Sequence, residues 1–318
     1  MLNLVLLLAG FVPLILGANW LVESASTIAR KLKVADIVIG LTIVAFGTSA
    51  PELVVNTFAS VAGNSDIVLG NIVGSNIFNV LAILGISSLI YPLVVKSGTT
   101  WSEIPLSLLS ALAVLVMAND RLLDGNSNSV LTRVDGILLL FFFLIFIAYT
   151  IKLARGGMLE EEIPAKKYSM PCALLLLLAG LVLLVVGGRV IVHFAVLLAR
   201  DAGIPERIIA ITIVSIGTSL PELATSIVAA LKKNVDIAIG NVVGSNIFNI
   251  FFILGISAVI NPVSIHAQSN LDLLVNIGAS LLLFAFIFTG KGRKIERWEG
   301  GIFIAAYVAY CVVLISGA

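Results

Sequence analysis

The stretch AFGTSAPELVVNTF, residues 45–58, sets a proline and a glutamate side by side in the middle of apolar sequence. A second copy, SIGTSLPELATSIV, occupies residues 215–228. Proline inside a helix removes a backbone hydrogen bond, and its ring collides with the carbonyl four residues earlier, at a cost of about 3 kcal/mol. Those carbonyls belong to Gly47, ahead of Pro51, and to Gly217, ahead of Pro221. In lipid, freed backbone groups persist only where they are buried in protein or line a wet cavity. A chain that breaks two apolar helices in this way, each time beside a carboxylate, is expected to use the groups it frees.

Composition places those helices in a membrane. Of 318 residues, 59% are hydrophobic and 12% charged, and the mean hydropathy is +1.14. A soluble domain carries about 25% charged residues, and a bilayer-spanning helix needs roughly 20 apolar residues. Apolar runs predict ten spans, at about 2–23, 36–60, 66–90, 101–119, 134–153, 171–199, 207–231, 236–260, 270–290 and 299–317. The fold class expected is an all-α polytopic membrane protein, since the alternating pattern of a transmembrane barrel is absent. The first run lacks a basic leader and has a counterpart at the sixth, so it reads as a retained helix rather than a signal peptide.

With the N-terminus placed outside, the inside connections hold fourteen Lys and Arg residues and the outside connections four. That positive-inside bias predicts both termini on the non-cytoplasmic side of the cell membrane. The polar segment 152–168, with Glu160, Glu161 and Glu162, reads as a solvated linker. Cys172 and Cys311 fall near opposite faces and read as small apolar fillers, and His193 and His266 form no motif. A net charge of +1 suggests no nucleic-acid partner.

The chain repeats itself. Shifted by 170 residues, 39–92 lies on 209–262 without a gap, and 30 of the 54 positions are identical. LLLAG at 6–10 meets LLLAG at 176–180, and RVDG from Arg133 meets RWEG from Arg297. Each half holds five spans, an odd number, so the second half enters the membrane from the opposite side. This is an inverted-topology repeat of the kind that supports alternating access. It divides the chain into a first five-helix repeat (1–155), a cytoplasmic linker (156–169) and a second, inverted repeat (170–318).

The identities concentrate at polar positions inside the spans. Thr48 and Glu52 share a helix face, as do Thr218 and Glu222, with Ser49 and Ser219 one step around. Asn71, Ser75 and Asn79 form a polar stripe on the third span, and Asn241, Ser245 and Asn249 repeat it on the eighth. Gly74 and Gly244 let neighbouring helices approach closely. All these groups offer oxygen, and no His or Cys cluster accompanies them, which argues against zinc, copper or iron. Oxygen-only sites suit Ca²⁺, Na⁺ or Mg²⁺, of which Mg²⁺ gives up its water least readily. Two carboxylates balance one Ca²⁺, and holding them ionised inside a membrane costs a few kcal/mol each unless a cation is bound. Protons are expected to compete for the same carboxylates. Asp66 and Asp236 open their spans and read as helix-capping acids.

The paired motifs GTSAPE (47–52) and GTSLPE (217–222), followed by GSNIFN at 74–79 and 244–249, closely resemble the α-repeats of Na⁺/Ca²⁺ exchangers, within the cation/Ca²⁺ antiporter superfamily. The resemblance covers nearly the whole chain, and without a large regulatory loop it looks like a compact prokaryotic form. It implies an ion-ligand set of the Ala45 carbonyl, Thr48, Ser49, Glu52, Ser75 and Asn79 from one half. From the other half it implies the Ser215 carbonyl, Thr218, Ser219, Glu222, Ser245 and Asn249. It also implies that spans 2, 3, 7 and 8 form the ion-binding core, that Glu52 and Glu222 meet near the midplane, and that the glycine-bearing spans 1 and 6 move beside it. No cofactor is implied, only the transported Ca²⁺ and Na⁺. Some members carry Asp where Asn249 stands, the K⁺-dependent ones among them, so Asn here argues against K⁺ coupling. H⁺-coupled relatives usually carry a different signature around their glutamates. A channel would need a filter-like sequence, and an intramembrane hydrolase built on Ser49 and Glu52 lacks a base-and-orienter set. The reading is an antiporter rather than an enzyme.

Overall fold

The computed structural model describes residues 2–119, 129–156, 168–203, 215–266, 269–290 and 292–316. Among them, eight helices are long and apolar enough to cross a membrane: Leu2–Leu32, Ser65–Ile90, Ser97–Met117, Arg133–Arg155, Met170–Asp201, Val235–Ile260, Ser269–Thr289 and Arg297–Ser316. These are predicted spans 1, 3, 4, 5, 6, 8, 9 and 10. Span 2 is a bent pair, Asp36–Thr48 and Ala50–Val61, with 48° between its halves. Span 7 is described from residue 215 onward, as Ser215–Thr218 and Leu220–Leu231. Its predicted start at 207–214, and 157–167 of the predicted linker, lie outside the described residues. The protein is a polytopic helical membrane protein, and among the described residues its helices fall on the predicted spans.

Local chemistry fixes where the spans begin. Asn64 and Asn234 cap spans 3 and 8, each side chain accepting a hydrogen bond at 3.1 Å, from Ile67 N and Ile237 N. Asp66 and Asp236, expected as the caps, sit instead in the first helical turn, where a negative charge still favours the helix dipole. Asp236 is ion-paired with Lys96 at 2.7 Å, and Asp66 lies 3.5 Å from His266. The RVDG and RWEG motifs are helix starts. Thr132 and Asp135 form a reciprocal capping box, and Glu299 Oε2 accepts from Glu296 N at 2.6 Å.

Two short antiparallel ladders tie the halves together at the membrane ends. β1 (Leu93–Val94) pairs with β4 (Lys294–Ile295), and β2 (Ser129–Leu131) with β3 (Val263–Ile265). Each ladder joins connections that the charge count assigns to one side of the membrane. Cys172 and Cys311 are free thiols.

Spans 1 and 6 cross at glycines. A Cβ on Gly17 would lie 2.7 Å from Gly180 O, so the two backbones touch where a side chain would stand. With parts of spans 2, 7 and 8 the pair forms an apolar cluster separate from the larger one built on spans 3, 4, 5, 9 and 10, and spans 2 and 8 contribute residues to both. Polar contacts hold the end of span 1 to the span 7–8 connection. Lys232 donates to Glu23 Oε1 at 3.0 Å and to Asn19 O at 3.4 Å, and Asn234 Nδ2 donates to Ser26 Oγ at 2.8 Å and to Asp36 Oδ2 at 2.6 Å.

Candidate cation-binding site

Both prolines sit where a helix can restart. Ser49 (φ −82°, ψ 10°) and Ser219 (φ −89°, ψ 7°) leave helical geometry, and Pro51 and Pro221 fall in the first turn of the next half-helix. Proline is tolerated there because the first-turn N–H has no intrahelical acceptor to lose. Glu52 and Glu222 follow at once, at the positive end of the half-helix dipole. Both are 1% exposed, inside a span rather than at an aqueous end.

The two breaks interlock. Ser49 Oγ donates to Glu222 Oε1 at 2.7 Å, and Ser219 Oγ donates to Glu52 Oε1 at 3.0 Å, so each half's serine holds the other half's carboxylate. Ser49 Oγ lies 2.9 Å from Ser245 Oγ, and Ser219 Oγ 3.0 Å from Ser75 Oγ. Thr48 Oγ1 donates to Asn241 Oδ1 at 3.0 Å, and Thr218 Oγ1 to Asn71 Oδ1 at 3.2 Å. The Ala45 carbonyl accepts from Ser49 N at 3.0 Å and stands 3.4 Å from Ser245 Oγ. Ser215 opens the helix Ser215–Thr218 as Ala45 opens Ala45–Thr48. Side-chain contacts thus draw Thr48, Ser49, Glu52, Ser75, Thr218, Ser219, Glu222 and Ser245 together across the pseudo-twofold axis. Asn79 and Asn249 follow one turn beyond Ser75 and Ser245 on the same helices.

What the site leaves unsatisfied shows its chemistry. Glu52 Oε2, Glu222 Oε2, Asn79 Oδ1 and Asn249 Oδ1 are buried and have no hydrogen-bond partner. A buried acceptor left unmade costs about 1–3 kcal/mol, and more when charged. Unpaired oxygens are what a hard cation takes, and the two carboxylates carry theirs beside hydroxyls, Glu52 next to Ser219 and Glu222 next to Ser49. Among the described residues no three His, Cys, Asp or Glu side chains group together, so any cation held between these two carboxylates would have to draw its remaining ligands from neutral oxygens.

Four asparagines have roles the sequence reading did not assign. Asn71 and Asn241 belonged to the polar stripes but not to the ligand set; the structure makes them partners of the site threonines. Asn241 Nδ2 also donates to Glu222 O at 3.2 Å and to Ser226 Oγ at 3.0 Å. Asn76 and Asn246 were not singled out at all, although both lie in the repeated GSNIFN, three residues before Asn79 and Asn249. Spans 3 and 8 also widen to π-helical hydrogen bonding at matching places, Phe78–Leu84 and Phe248–Leu254, segments that carry Asn79 and Asn249 themselves. Short π segments inside α-helices frequently mark functional sites. Phe248 stacks on Phe46 of span 2 at 4.5 Å, clamping the broken helix to span 8.

A polytopic fold of inverted repeats, with broken helices facing each other across its centre, defines a secondary membrane transporter. The profile of the family described as sodium/calcium exchanger protein matches residues 2–152 and 172–316, and this chain belongs to that family of cation/Ca²⁺ antiporters. It is 38% identical to the putative antiporter CaxA of Alkalimonas amylolytica, covering 98% of both chains. It is 34% identical to the sodium/calcium exchanger MaX1 of Methanosarcina acetivorans, again over 98% of both. The sodium–calcium exchanger NCX_Mj, solved after soaking in Na⁺ and Sr²⁺, is 33% identical and superposes with a TM-score of 0.84 over 98% of each chain.

Proposed function

We propose that this protein exchanges Na⁺ for Ca²⁺ across the cell membrane by alternating access, its two halves (1–155 and 170–318) alternately opening one shared site. The observation that carries the reading is the set of four orphaned buried oxygens from Glu52, Glu222, Asn79 and Asn249 beside paired hydroxyls. Ca²⁺ takes both carboxylates and the amide oxygens, at the usual 2.3–2.6 Å or so. Na⁺ takes overlapping places among Thr48, Ser49, Ser75, Thr218, Ser219, Ser245 and the Ala45 and Ser215 carbonyls. Na⁺ at these places is also balanced by Glu52 and Glu222, so the two ions compete for the same carboxylates; an empty site holding two uncompensated buried charges does not reorient, and the exchange is obligatory. The name of MaX1 and the NCX_Mj structure soaked in Na⁺ and Ca²⁺ favour this ion pair over other couplings.

Reconstitution tests it. Proteoliposomes loaded with Na⁺ take up ⁴⁵Ca²⁺, and uptake collapses when internal Na⁺ is replaced by K⁺, by choline or by a proton gradient alone. Uptake that survives any of these replacements names a different coupling ion. Uptake that runs downhill without any counter-ion marks a channel.

Acid inhibits this exchange. A proton on Glu52 or Glu222 removes the negative charge that Ca²⁺ needs, so lowering pH weakens Ca²⁺ binding and raising it restores binding. The apparent Ca²⁺ half-saturation concentration, measured at fixed Na⁺ across a pH series, rises as pH falls. A flat profile through mild acid contradicts shared use of these carboxylates.

Spans 1 and 6 form the moving part. They pack on each other through Gly17 and Gly180 and share a separate apolar cluster. When they shift, the contacts of Lys232 with Glu23 and of Asn234 with Ser26 break. Cysteines placed singly along both spans change in accessibility between Na⁺-loaded and Ca²⁺-loaded protein. Identical labelling in the two conditions removes this assignment.

A further inference from the structure

Asparagine is a two-ended ligand, with an oxygen that coordinates a cation and an NH₂ that repels one. A site that uses Asn79 and Asn249 has to decide which end faces the ions. Asn76 Nδ2 donates to the backbone carbonyl of Asn246 at 3.2 Å, and Asn246 Nδ2 donates to the backbone carbonyl of Asn76 at 3.4 Å. This reciprocal pair crosses from span 3 to span 8 and commits both NH₂ groups to backbone. The Oδ1 atoms of Asn76 and Asn246 are left to accept, and each does. Asn249 Nδ2 donates to Asn76 Oδ1 at 3.0 Å, and Asn79 Nδ2 donates to Asn246 Oδ1 at 3.0 Å. With their NH₂ groups so held, Asn79 and Asn249 turn Oδ1 away from the brace, and these are two of the four orphaned buried oxygens. All four asparagines are no more than 2% exposed, so water does not compete for these bonds.

We propose that Asn76 and Asn246 are positioning residues that fix the amide orientation of Asn249 and Asn79, each acting across the repeat boundary, so that oxygen rather than NH₂ meets the cation. The inference rests on the ion-site reading above. It gives the third residue of each GSNIFN motif a task distinct from helix adhesion. It also makes one half's ligand depend on the other half's brace, so that spans 3 and 8 act as a unit.

A carboxylate at position 249 decides between orienting and gluing, because it presents oxygen at both ends and needs no orienting. Wild type, Asn76→Ala, Asn249→Asp and the double variant are purified as full-length protein. Ca²⁺ affinity is read by equilibrium ⁴⁵Ca²⁺ binding, and half-saturation and maximal rate by Na⁺-driven uptake. With Asn249 intact, Asn76→Ala weakens Ca²⁺ binding about tenfold, on the scale of one charge-assisted contact, and raises half-saturation more than it lowers the maximal rate. In the Asn249→Asp background the same substitution changes affinity less than about twofold. Equal losses in the two backgrounds, or no loss in the first, overturn the inference. The mirror cycle of Asn246→Ala with Asn79→Asp reads out the same way and decides the matter should Asn249→Asp fail to fold. A wild type that binds no Ca²⁺ overturns the exchanger reading and this inference with it, whereas one that binds Ca²⁺ while the cycles show no coupling overturns the inference alone.

Discussion

Glu52→Gln and Glu222→Gln each abolish Na⁺-driven Ca²⁺ uptake while leaving a folded protein. In each carboxylate Oε1 is held by the opposite half's serine and Oε2 has no partner. Glutamine keeps the shape and one oxygen but removes a charge. With one carboxylate gone, a divalent cation is left half neutralised in a dry site. Removing one partner of a buried, charge-paired interaction costs roughly 3–5 kcal/mol, which is more than about a hundredfold in affinity. Folding responds in the opposite direction. In ion-free buffer the wild type holds two buried carboxylates with unsatisfied oxygens, and neutralising one relieves part of that cost. The glutamine variants therefore melt at or above the wild-type temperature in chelator, and they lose the rise in melting temperature that Ca²⁺ gives the wild type through linkage. Wild-type exchange rates in either variant would refute the two-carboxylate site. A variant that melts far lower in chelator would show that the carboxylate serves the fold instead.

The broken helices and the inversion were legible because each follows from a few residues with hard constraints: a proline in apolar sequence, an odd number of spans, a repeat without a gap. That Glu52 and Glu222 stand near each other was implied only by the family resemblance, and the serine–carboxylate bonds that cross between the halves were not anticipated. Span ends were less legible. Span 1 was expected to stop near residue 23 and runs to Leu32, because Ser24 and Thr27 look polar in sequence but satisfy their hydroxyls on Trp20 O and Glu23 O, one helical turn back. They then bury as if apolar. The caps of spans 3 and 8 were displaced by two residues, from aspartate to asparagine, because both residue types suit both positions and only geometry separates them. The Asn76–Asn246 pair was invisible for a different reason. Its partners stand 170 residues apart at equivalent positions, and periodicity along one helix carries no information about what crosses the pseudo-twofold axis.

Gly244→Ala reduces Ca²⁺ uptake more than about tenfold, the second large effect expected, through a methyl group that touches no ion. Span 8 passes span 2 at this residue. A Cβ there would lie 2.6 Å from Leu41 O and 2.8 Å from Ala45 Cβ, and neither a backbone carbonyl nor the first carbon of a side chain can swing aside. The helices must separate. Overpacking of this kind costs about 1–3 kcal/mol, so the variant melts lower yet still folds. Function suffers more than stability because the next residue, Ser245, bridges the halves, 2.9 Å from Ser49 Oγ and 3.4 Å from the Ala45 carbonyl. A shift of a few tenths of an ångström lengthens both contacts and loosens Ser49, which holds Glu222. Gly278→Ala on the exposed face of span 9 is the control: nothing lies within 4 Å of its added Cβ, and uptake stays within about twofold of wild type. Should Gly244→Ala transport as well as that control, the close approach of spans 2 and 8 is not what holds the site in register.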